Sequence, residues 1–113
     1  MKLEDPKYWR NLINQSLVRF FLLKALRQEP HHGYVLSKAI EDVSLGFCHP
    51  TQSTLYPALS ELEKGGYVKV DLEKKGNRTK KIYMLTVKGK DAYVAAAKTW
   101  GEIIPMMNRA CTL

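Results

Sequence analysis

Residues 54–85, TLYPALSELEKGGYVKVDLEKKGNRTKKIYML, decide the fold that this sequence predicts. They begin with a helix pattern that ends at Gly65-Gly66 and whose apolar face consists of Leu55, Ala58, Leu59 and Leu62. Two strand patterns follow, over residues 67–72 and 80–85, with a basic loop over residues 74–79 between them. A helix followed by a hairpin with a cationic tip is the outline of a winged helix-turn-helix. Its helix can enter a DNA major groove while the wing lies against phosphate or minor groove.

The helix that opens this segment has two candidate N-caps, Thr51 and Ser53, because either hydroxyl can accept a hydrogen bond from a free N–H of the first turn. Pro57 lacks an N–H and is tolerated best near a helix start, which favours Ser53 as the cap. At 100° per residue, the side opposite the leucines carries Ser53, Tyr56, Pro57, Ser60 and Lys64.

Three further helices are predicted around this segment. The first spans about residues 8–28 and is stopped by Pro30. Its apolar residues cover more than one stripe of the helix. Residues 17–26 are therefore expected to enter the core, and residues 8–13 to form an additional contact arm. The second spans about residues 34–43 and ends at Gly46. The last spans about residues 87–107, is capped by Thr86, and is expected to kink or end early at Pro105.

Short segments complete the prediction. His31-His32-Gly33 is expected to be a turn, and residues 47–49 a connector or one brief strand. In the first hairpin strand, the apolar residues at alternate positions predict a half-buried strand with Val68, Val70 and Leu72 inward. The fold class is therefore mostly α with a small β-hairpin: a winged helix-turn-helix plus a C-terminal dimerisation helix.

The chain of 113 residues is expected to form one domain with two parts. Residues 1–86 would be the winged helix-turn-helix DNA-binding domain with its N-terminal arm, and residues 87–113 the C-terminal dimerisation helix. No apolar run reaches the roughly 20 residues of a membrane span, and the first residues lack the apolar core of a signal peptide, so we expect a cytoplasmic protein without membrane contact. Cys48 and Cys111 are expected to be free thiols.

The formal net charge of +7 is concentrated around the predicted hairpin. Only Asp71 and Glu73 oppose eight basic residues there, which are Lys69, Lys74, Lys75, Arg78, Lys80, Lys81, Lys88 and Lys90. Cations gathered on one hairpin can neutralise phosphates and release their counterions, so a nucleic-acid partner is indicated. A solvated charged surface is the alternative.

Several short motifs in a fixed order point to a known family. They are His32-Gly33-Tyr34, Thr54-Leu55-Tyr56-Pro57-Ala58-Leu59, Gly65-Gly66, Lys80-Lys81-Ile82-Tyr83 after Arg78, and Leu85-Thr86 before Gly89. With this spacing, the chain resembles the PadR family of bacterial transcriptional regulators over about residues 20–90, and its single helix after the wing resembles the short subfamily. Ser53 stands where that family often has glycine, and Ile82 replaces one aromatic of a tyrosine pair. The resemblance implies a DNA-binding regulator and DNA contact by Tyr56.

Side-chain chemistry extends this DNA-binding set. Gln52 can bond adenine in a bidentate manner, the hydroxyls on the same helix can bond donors or acceptors, and the Thr54 methyl group suits thymine. Arg78 suits a narrow minor groove, and the wing lysines suit phosphates. The predicted residues in contact with double-stranded DNA are Thr51, Gln52, Ser53, Thr54, Tyr56, Ser60, Lys74, Lys75, Arg78 and Lys80. For Tyr56, packing on the second helix is the alternative.

The last helix predicts a homodimer. Its apolar stripe is longer than one winged domain can cover, so the arm of one subunit is expected to pack on the last helix of the other, on a near-palindromic operator. A helix folded back on its own core is the alternative. The predicted interface residues are Leu12, Ile13, Tyr93, Ala96, Trp100, Ile103, Ile104 and Met107.

The resemblance also implies a candidate effector site, because some relatives stack a flat effector on an aromatic residue of the dimer interface. The residues that it indicates here for a small aromatic effector are Trp100, Tyr93, Phe20 and Trp9, with Met107 nearby. Simple packing of Trp100 in the interface is the alternative.

Other function classes have weaker support. Cys48 and His49 are adjacent and cannot easily face one tetrahedral ion, and no Cys-x-x-Cys or His-x-x-x-His spacing exists, so no metal is expected. No nucleophile–base set, carboxylate pair or phosphate-binding glycine loop is present, so neither an enzyme nor a cofactor is expected. A winged-helix protein-interaction module without a specific DNA target is the alternative function.

Overall fold

A computed structural model describes residues 2–113 and shows a helical domain with a small antiparallel sheet. The elements in chain order are α1 (Pro6–Gln28), β1 (His31–His32), a 3₁₀ turn (Gly33–Val35), α2 (Leu36–Val43), α3 (Gln52–Lys64), β2 (Val68–Lys75), β3 (Arg78–Leu85) and α4 (Val87–Ala110). The strand order in the sheet is β1-β3-β2. This arrangement confirms the predicted fold class, a mostly helical winged helix-turn-helix followed by one long helix.

One hydrophobic core joins α1, α2, α3 and the sheet. The predicted apolar face of α3 is confirmed, since Leu55, Ala58, Leu59 and Leu62 are all buried. These side chains pack in one cluster whose other members include Val18, Leu22 and Leu26 of α1, Leu36 and Ile40 of α2, and Val68, Tyr83 and Leu85 of the sheet. The core therefore uses the second half of α1, and the arm at its start contributes nothing to it.

Prolines lie inside two helices whose boundaries differ from those predicted. α3 begins at Gln52 with Thr51 as its N-cap, so Ser53 is not the cap and Pro57 lies well inside the helix. α4 continues through Pro105 to Ala110 and does not end early. A proline in a helix leaves the carbonyl four residues before it unpaired. Here those carbonyls belong to Ser53 and Gly101, both on exposed faces where water can bond them.

The sequence predicted only the two hairpin strands and missed β1. His31 and His32 form β1, paired antiparallel with β3 through the register His31–Tyr83 and His32–Ile82, and not a simple turn. Residues 47–49 form a connector without a strand. A strand this short is stabilised by the edge of β3 that it covers, and two residues carry too little pattern to be recognised in sequence.

The hairpin is longer and its tip tighter than predicted. β2 and β3 pair up to Lys75 and Arg78, which leaves a turn of only Gly76-Asn77 between them. Gly76 has φ +63°, as the first central position of a type II′ hairpin turn requires. Leu72, predicted to be half-buried, is 67% exposed, because this part of the hairpin extends beyond the helices. The basic side chains assigned to a loop are therefore held on paired strands.

α4 is joined to the domain at its first turn. Thr86 caps it as predicted: its Oγ1 accepts a hydrogen bond from Gly89 N at 3.0 Å and donates one to the Gly66 carbonyl at 2.6 Å. Lys88 Nζ donates to the Gly65 carbonyl at 2.7 Å. A Cβ added at Gly89 would lie 2.0 Å from the Tyr67 carbonyl oxygen, so the helix backbone packs directly on the corner between α3 and β2.

Beyond this turn α4 leaves the domain body. Gly89 is its one buried residue, and Ile104, Met106 and Met107 are more than half exposed. The molecule measures 58 × 29 × 23 Å with a radius of gyration of 15.9 Å, whereas a compact domain of this length has about 13 Å. No helix in the described part of the chain is long and apolar enough to cross a membrane.

We expect Gly89→Ala and Gly101→Ala, the same substitution in the same helix, to change stability in opposite directions. The new methyl group at position 89 would collide with the Tyr67 carbonyl, and such overpacking costs about 1–3 kcal/mol. At position 101 nothing lies within 4 Å, so the better helix propensity of alanine should stabilise the protein by up to about 1 kcal/mol. Chemical denaturation measures both changes; equal effects would contradict the close packing at Gly89.

Candidate nucleic-acid interface

The face of α3 opposite the core is exposed and carries no acidic residue in its first two turns. Gln52, Ser53, Thr54, Tyr56 and Ser60 are all solvent-exposed. Three hydroxyls meet at the start of the helix: Thr51 Oγ1 lies 2.9 Å from Ser53 Oγ and donates to Thr54 Oγ1 at 3.3 Å. The Thr51 side chain does not bond a backbone N–H of the first turn. The N-terminal end of α3 thus presents a compact set of hydrogen-bond donors and acceptors, the kind of groups that can bond the edges of bases.

The wing presents its cations on both strands. Lys75 lies opposite Arg78 at the end of the hairpin, and Lys74 lies opposite Thr79 in the next position. Glu73 offsets part of this charge, since its Oε1 is 3.5 Å from Lys75 Nζ. Within residues 2–113, Lys74 and Arg78 have no acidic partner within 4.0 Å. Both side chains are exposed and thus available to an anionic partner.

A recess of about 380 Å³ separates α3 from the wing. It is lined by Gly33, Tyr34, Tyr56, Thr79, Lys80, Lys81 and Tyr83. Lys80 Nζ lies 5.4 Å from the centroid of the Tyr34 ring, within the range of a cation–π contact. Burial, followed by the charges of Glu63 and Tyr56, raises the pKa of Tyr83, so its hydroxyl stays protonated at neutral pH.

Sequence reasoning missed several residues of this recess. It assigned DNA contacts to Tyr56 and Lys80 but gave no role to Gly33, Tyr34, Lys81 or Tyr83. A signal was present, since these residues belong to the motifs His32-Gly33-Tyr34 and Lys80-Lys81-Ile82-Tyr83 that carry the resemblance. What the motifs could not show is that β1 brings the first one beside β3, where the second lies.

An exposed ion pair joins α3 to α1. The Arg19 guanidinium donates through Nε to Glu61 Oε2 at 3.2 Å and through Nη2 to the same oxygen. This hydrogen bond and the charge of Arg19 lower the pKa of the Glu61 carboxyl. Both side chains are at least half exposed, so the pair contributes little to the stability of the domain.

The residues predicted for an effector site lie in two separate places. Phe20 stacks on Tyr93 with centroids 5.7 Å apart and planes at 4°, and it lies 6.2 Å from Trp100. Arg27 and Lys24 lie over the same Tyr93 ring, at 5.1 and 5.6 Å. Trp9 is elsewhere in the chain: its Nε1 donates to the Leu3 carbonyl at 2.7 Å, and its ring lines a groove with Pro6, Ile13 and Phe47.

The predicted interface residues lie on the arm of α1 and along α4. Leu12 and Ile13 are exposed on α1, and Ile104 and Met107 are exposed on α4. Tyr93, Ala96, Trp100 and Ile103 are partly covered on the side of α4 that faces α1. In one chain, half of the predicted interface residues are thus exposed and the other half are partly covered.

Cys48 is buried and hydrogen-bonded, as is typical of a cysteine with a structural role. Its thiol is fully buried and donates to Asn14 Oδ1 at 3.2 Å, while its N–H donates to Ser44 Oγ at 2.9 Å. Burial raises the pKa of this thiol, which disfavours the reactive thiolate. In the described part of the chain, no three His, Cys, Asp or Glu side chains are grouped closely enough to hold a metal ion.

Comparisons with known proteins agree with this geometry. A family model described as the transcriptional regulator PadR-like family matches residues 22–95. This match includes α2, α3, the hairpin and the first turns of α4. No curated protein sequence matches the chain significantly.

Solved structures share the fold. A transcriptional regulator from Clostridium thermocellum is 24% identical with a TM-score of 0.79, over 88% of this chain and 95% of that one. A PadR family transcriptional regulator from Eggerthella lenta is 22% identical with a TM-score of 0.82, over 94% of this chain and 91% of that one. Bacillus subtilis PadR, solved in complex with operator DNA, is 24% identical with a TM-score of 0.64, over 72% of this chain and 46% of that longer one.

Proposed function

The chain belongs to the PadR-like family of transcriptional regulators, and we propose that it is a homodimeric repressor that binds a near-palindromic operator and responds to a small aromatic ligand. The observation that carries this proposal is the pairing of an exposed, acid-free start of α3 with a cationic hairpin on the same domain. Repression needs only occupancy of the operator, which this surface would supply.

The exposed residues of α3 are proposed to read the bases. Thr51, Gln52, Ser53 and Thr54 would reach base edges in the major groove from the start of the helix, where a winged helix-turn-helix makes its specific contacts. Tyr56 and Ser60 lie one and two turns further and would contact the backbone or the next base pair. The operator complex of the Bacillus subtilis relative supports the same use of the fold here.

The wing is proposed to bind the backbone. Lys74, Lys75 and Lys80 would neutralise phosphates, and Arg78 beside the hairpin tip would enter a narrow minor groove. The tight turn supports this role, because it holds Arg78 on a paired strand and reduces the freedom that binding would remove.

The dimer is proposed to form through the extended ends of the chain. The arm and the second half of α4 expose apolar side chains that one chain leaves uncovered, among them Trp9, Leu12, Ile104 and Met107. A two-fold axis between α4 helices would bury these surfaces and place two α3 helices on successive major grooves, about 34–36 Å apart. The operator would then be near-palindromic.

The aromatic cluster at the base of this proposed interface supports a ligand-binding role. Phe20, Tyr93 and Trp100 present stacked and tilted rings at the junction of α1 and α4. A planar ligand inserted there would alter the angle between α4 and the domain, and thereby the separation of the two α3 helices. Trp9 would join this site only from the partner subunit.

We expect the protein to select an inverted repeat from a pool of random duplexes and to lose about 10³–10⁵ in affinity between 50 and 200 mM salt, as six to ten phosphate contacts predict. Arg78→Ala should weaken binding by about 1–3 kcal/mol, while Lys98→Ala, an exposed lysine on α4, should not. Fluorescence anisotropy measures both. A flat salt response or no selected sequence would favour a protein-interaction module.

A charge within the apolar stripe of α4 should break the dimer. In sedimentation at micromolar concentration, we expect a dimer for the unmodified protein and a monomer for Ile103→Glu, because the new carboxylate would be desolvated in the interface. Lys98→Glu introduces the same side chain on the exposed side of α4 and should leave the dimer intact. A monomeric unmodified protein would refute the proposed assembly.

Planar aromatic compounds are expected to quench the fluorescence of Trp100. The chain has two tryptophans, so Trp9→Phe isolates the signal of Trp100 and Trp100→Phe isolates that of Trp9. Saturable quenching of Trp100 should persist in the first variant, and saturable quenching of Trp9 in the second is expected only if Trp9 of the partner subunit joins the site. If a chemically broad panel leaves both unchanged, Trp100 has only a packing role.

A further inference from the structure

One imidazole nitrogen beside the wing is buried without a partner. His32 Nε2, on β1, has no hydrogen-bond partner within residues 2–113. Glu73 Oε2, on β2, lies 3.5 Å from it, whereas a charge-assisted hydrogen bond measures about 2.7–2.9 Å. The two groups are therefore close enough to attract each other when both are charged, but their geometry here is not that of a hydrogen bond.

The His32 ring is held in place, while the Glu73 carboxylate is shared. The ring stacks on Tyr34 with centroids 5.4 Å apart and planes at 28°, and the backbone of His32 pairs with Ile82 of β3. Glu73 directs its second oxygen to a cation of the wing, since Oε1 lies 3.5 Å from Lys75 Nζ. A change in the charge of His32 would therefore move the carboxylate more than the ring.

The charges on this face of the sheet are nearly balanced. Side chains alternate between the two faces of a strand, so every second residue of the hairpin shares the face of His32. The charged and titratable groups on this face are Tyr34 from the 3₁₀ turn, Asp71, Glu73 and Lys75 from β2, and Arg78 and Lys80 from β3. Three cations oppose two carboxylates while His32 is neutral, and a proton on His32 adds a fourth cation.

We propose that protonation of His32 switches the wing to a state of higher affinity for DNA. The imidazolium would draw the Glu73 carboxylate away from Lys75, which frees the ammonium group of Lys75 for a phosphate. An imidazole ordinarily changes its charge between about pH 5 and 8, so mild acidification would operate the switch. This inference rests on the proposed DNA-binding function and adds its regulation by pH.

The sign of the effect follows from the two states of the imidazole. At the upper end of this range His32 is neutral, Glu73 offsets Lys75, and the wing attracts phosphate less. At the lower end His32 is cationic and pairs with Glu73, so the wing attracts phosphate more. Because the coupling between two binding events is reciprocal, DNA binding would in turn favour the uptake of a proton by His32.

The test compares the affinity for the selected duplex at about pH 8 and 5.5 by fluorescence anisotropy. For the unmodified protein, we expect the association constant to be about 5–150-fold higher at the lower pH, the usual range of coupling between two sites. His32→Gln should lose most of this increase. Circular dichroism at both pH values checks that each variant is folded.

The neighbouring histidine provides the matched control. His31 lies on the same strand, one residue away and on the opposite face, and has no acidic partner within 4.0 Å in residues 2–113. His31→Gln should therefore keep the full increase in affinity. His49, whose Nδ1 lies 2.6 Å from Glu41 Oε2, stays intact in every variant, so its own contribution cancels in the comparison.

Glu73→Gln tests the same contact from the side of the wing. This variant should bind more tightly than the unmodified protein at about pH 8, because no carboxylate offsets Lys75, and its affinity should increase less on acidification. In the unmodified dimer, freeing Lys75 in both subunits should steepen the slope of log affinity against log salt by about 1.8 at the lower pH. Glu73→Gln and Lys75→Ala should both abolish this change of slope.

The outcomes separate the switch from the proposed function. If the unmodified protein binds no duplex at either pH, the proposed function fails and the switch of affinity fails with it. If it binds but His32→Gln and His31→Gln respond equally to pH, only the switch is overturned. If Glu73→Gln keeps the change of slope, His32 acts without Glu73 and the proposed route is wrong.

Nuclear magnetic resonance of the histidine rings tests the contact without DNA. Over the same pH range, Glu73→Gln should change the ring resonances of His32 and leave those of His31 unaltered, because only His32 lies beside this carboxylate. Unchanged His32 resonances would show that the two side chains do not interact in solution, which overturns the switch whether or not the protein binds DNA.

Discussion

The close approach of Gly89 to the Tyr67 carbonyl is the contact on which the arrangement of the molecule depends. It lies where α3 ends, β2 begins and α4 departs, so it connects the proposed reading helix, the wing and the proposed dimer helix at one point. The hydrogen bonds of Thr86 and Lys88 to the Gly66 and Gly65 carbonyls hold the same corner. Together these contacts fix the first turn of α4 against the end of α3 and the start of β2.

In α3 and in the sheet, some residues pack in the core and others stay exposed to solvent. α3 buries its leucines and leaves its hydroxyl and amide side chains in solvent, so the residues proposed to read bases lie on a helix that the core holds in place. The sheet does the same: Val68 and Tyr83 enter the core, while the strands continue beyond the helices and carry their cations outward. The proposed DNA-binding residues thereby lie on the parts of helices and strands that the core does not use, while the buried parts of the same elements hold them in place.

The sequence predicted the elements well where a long periodic pattern existed. The apolar spacing of α3, the strand alternation at Val68 and Val70, and the Thr86 cap all concern residues close in sequence, and the structure confirms them. The errors occur where a distant segment decides. β1 exists because β3 offers it an edge, Leu72 is exposed because no helix reaches that far, and Pro57 and Pro105 are tolerated because the carbonyls that they leave unpaired face water.

By itself, the sequence determined the fold class, the composition of the buried face of α3, the cationic character of the wing and the resemblance to a family. Hydrophobic periodicity and local charge are properties of neighbouring residues, so they can be read without coordinates. Only the tertiary structure decided which motifs meet. It placed Gly33 and Tyr34 beside Lys80 and Lys81, brought Phe20 onto Tyr93, and kept Trp9 apart from both. Such contacts depend on how the sheet pairs and how α4 leaves the core, and no spacing along the chain encodes them.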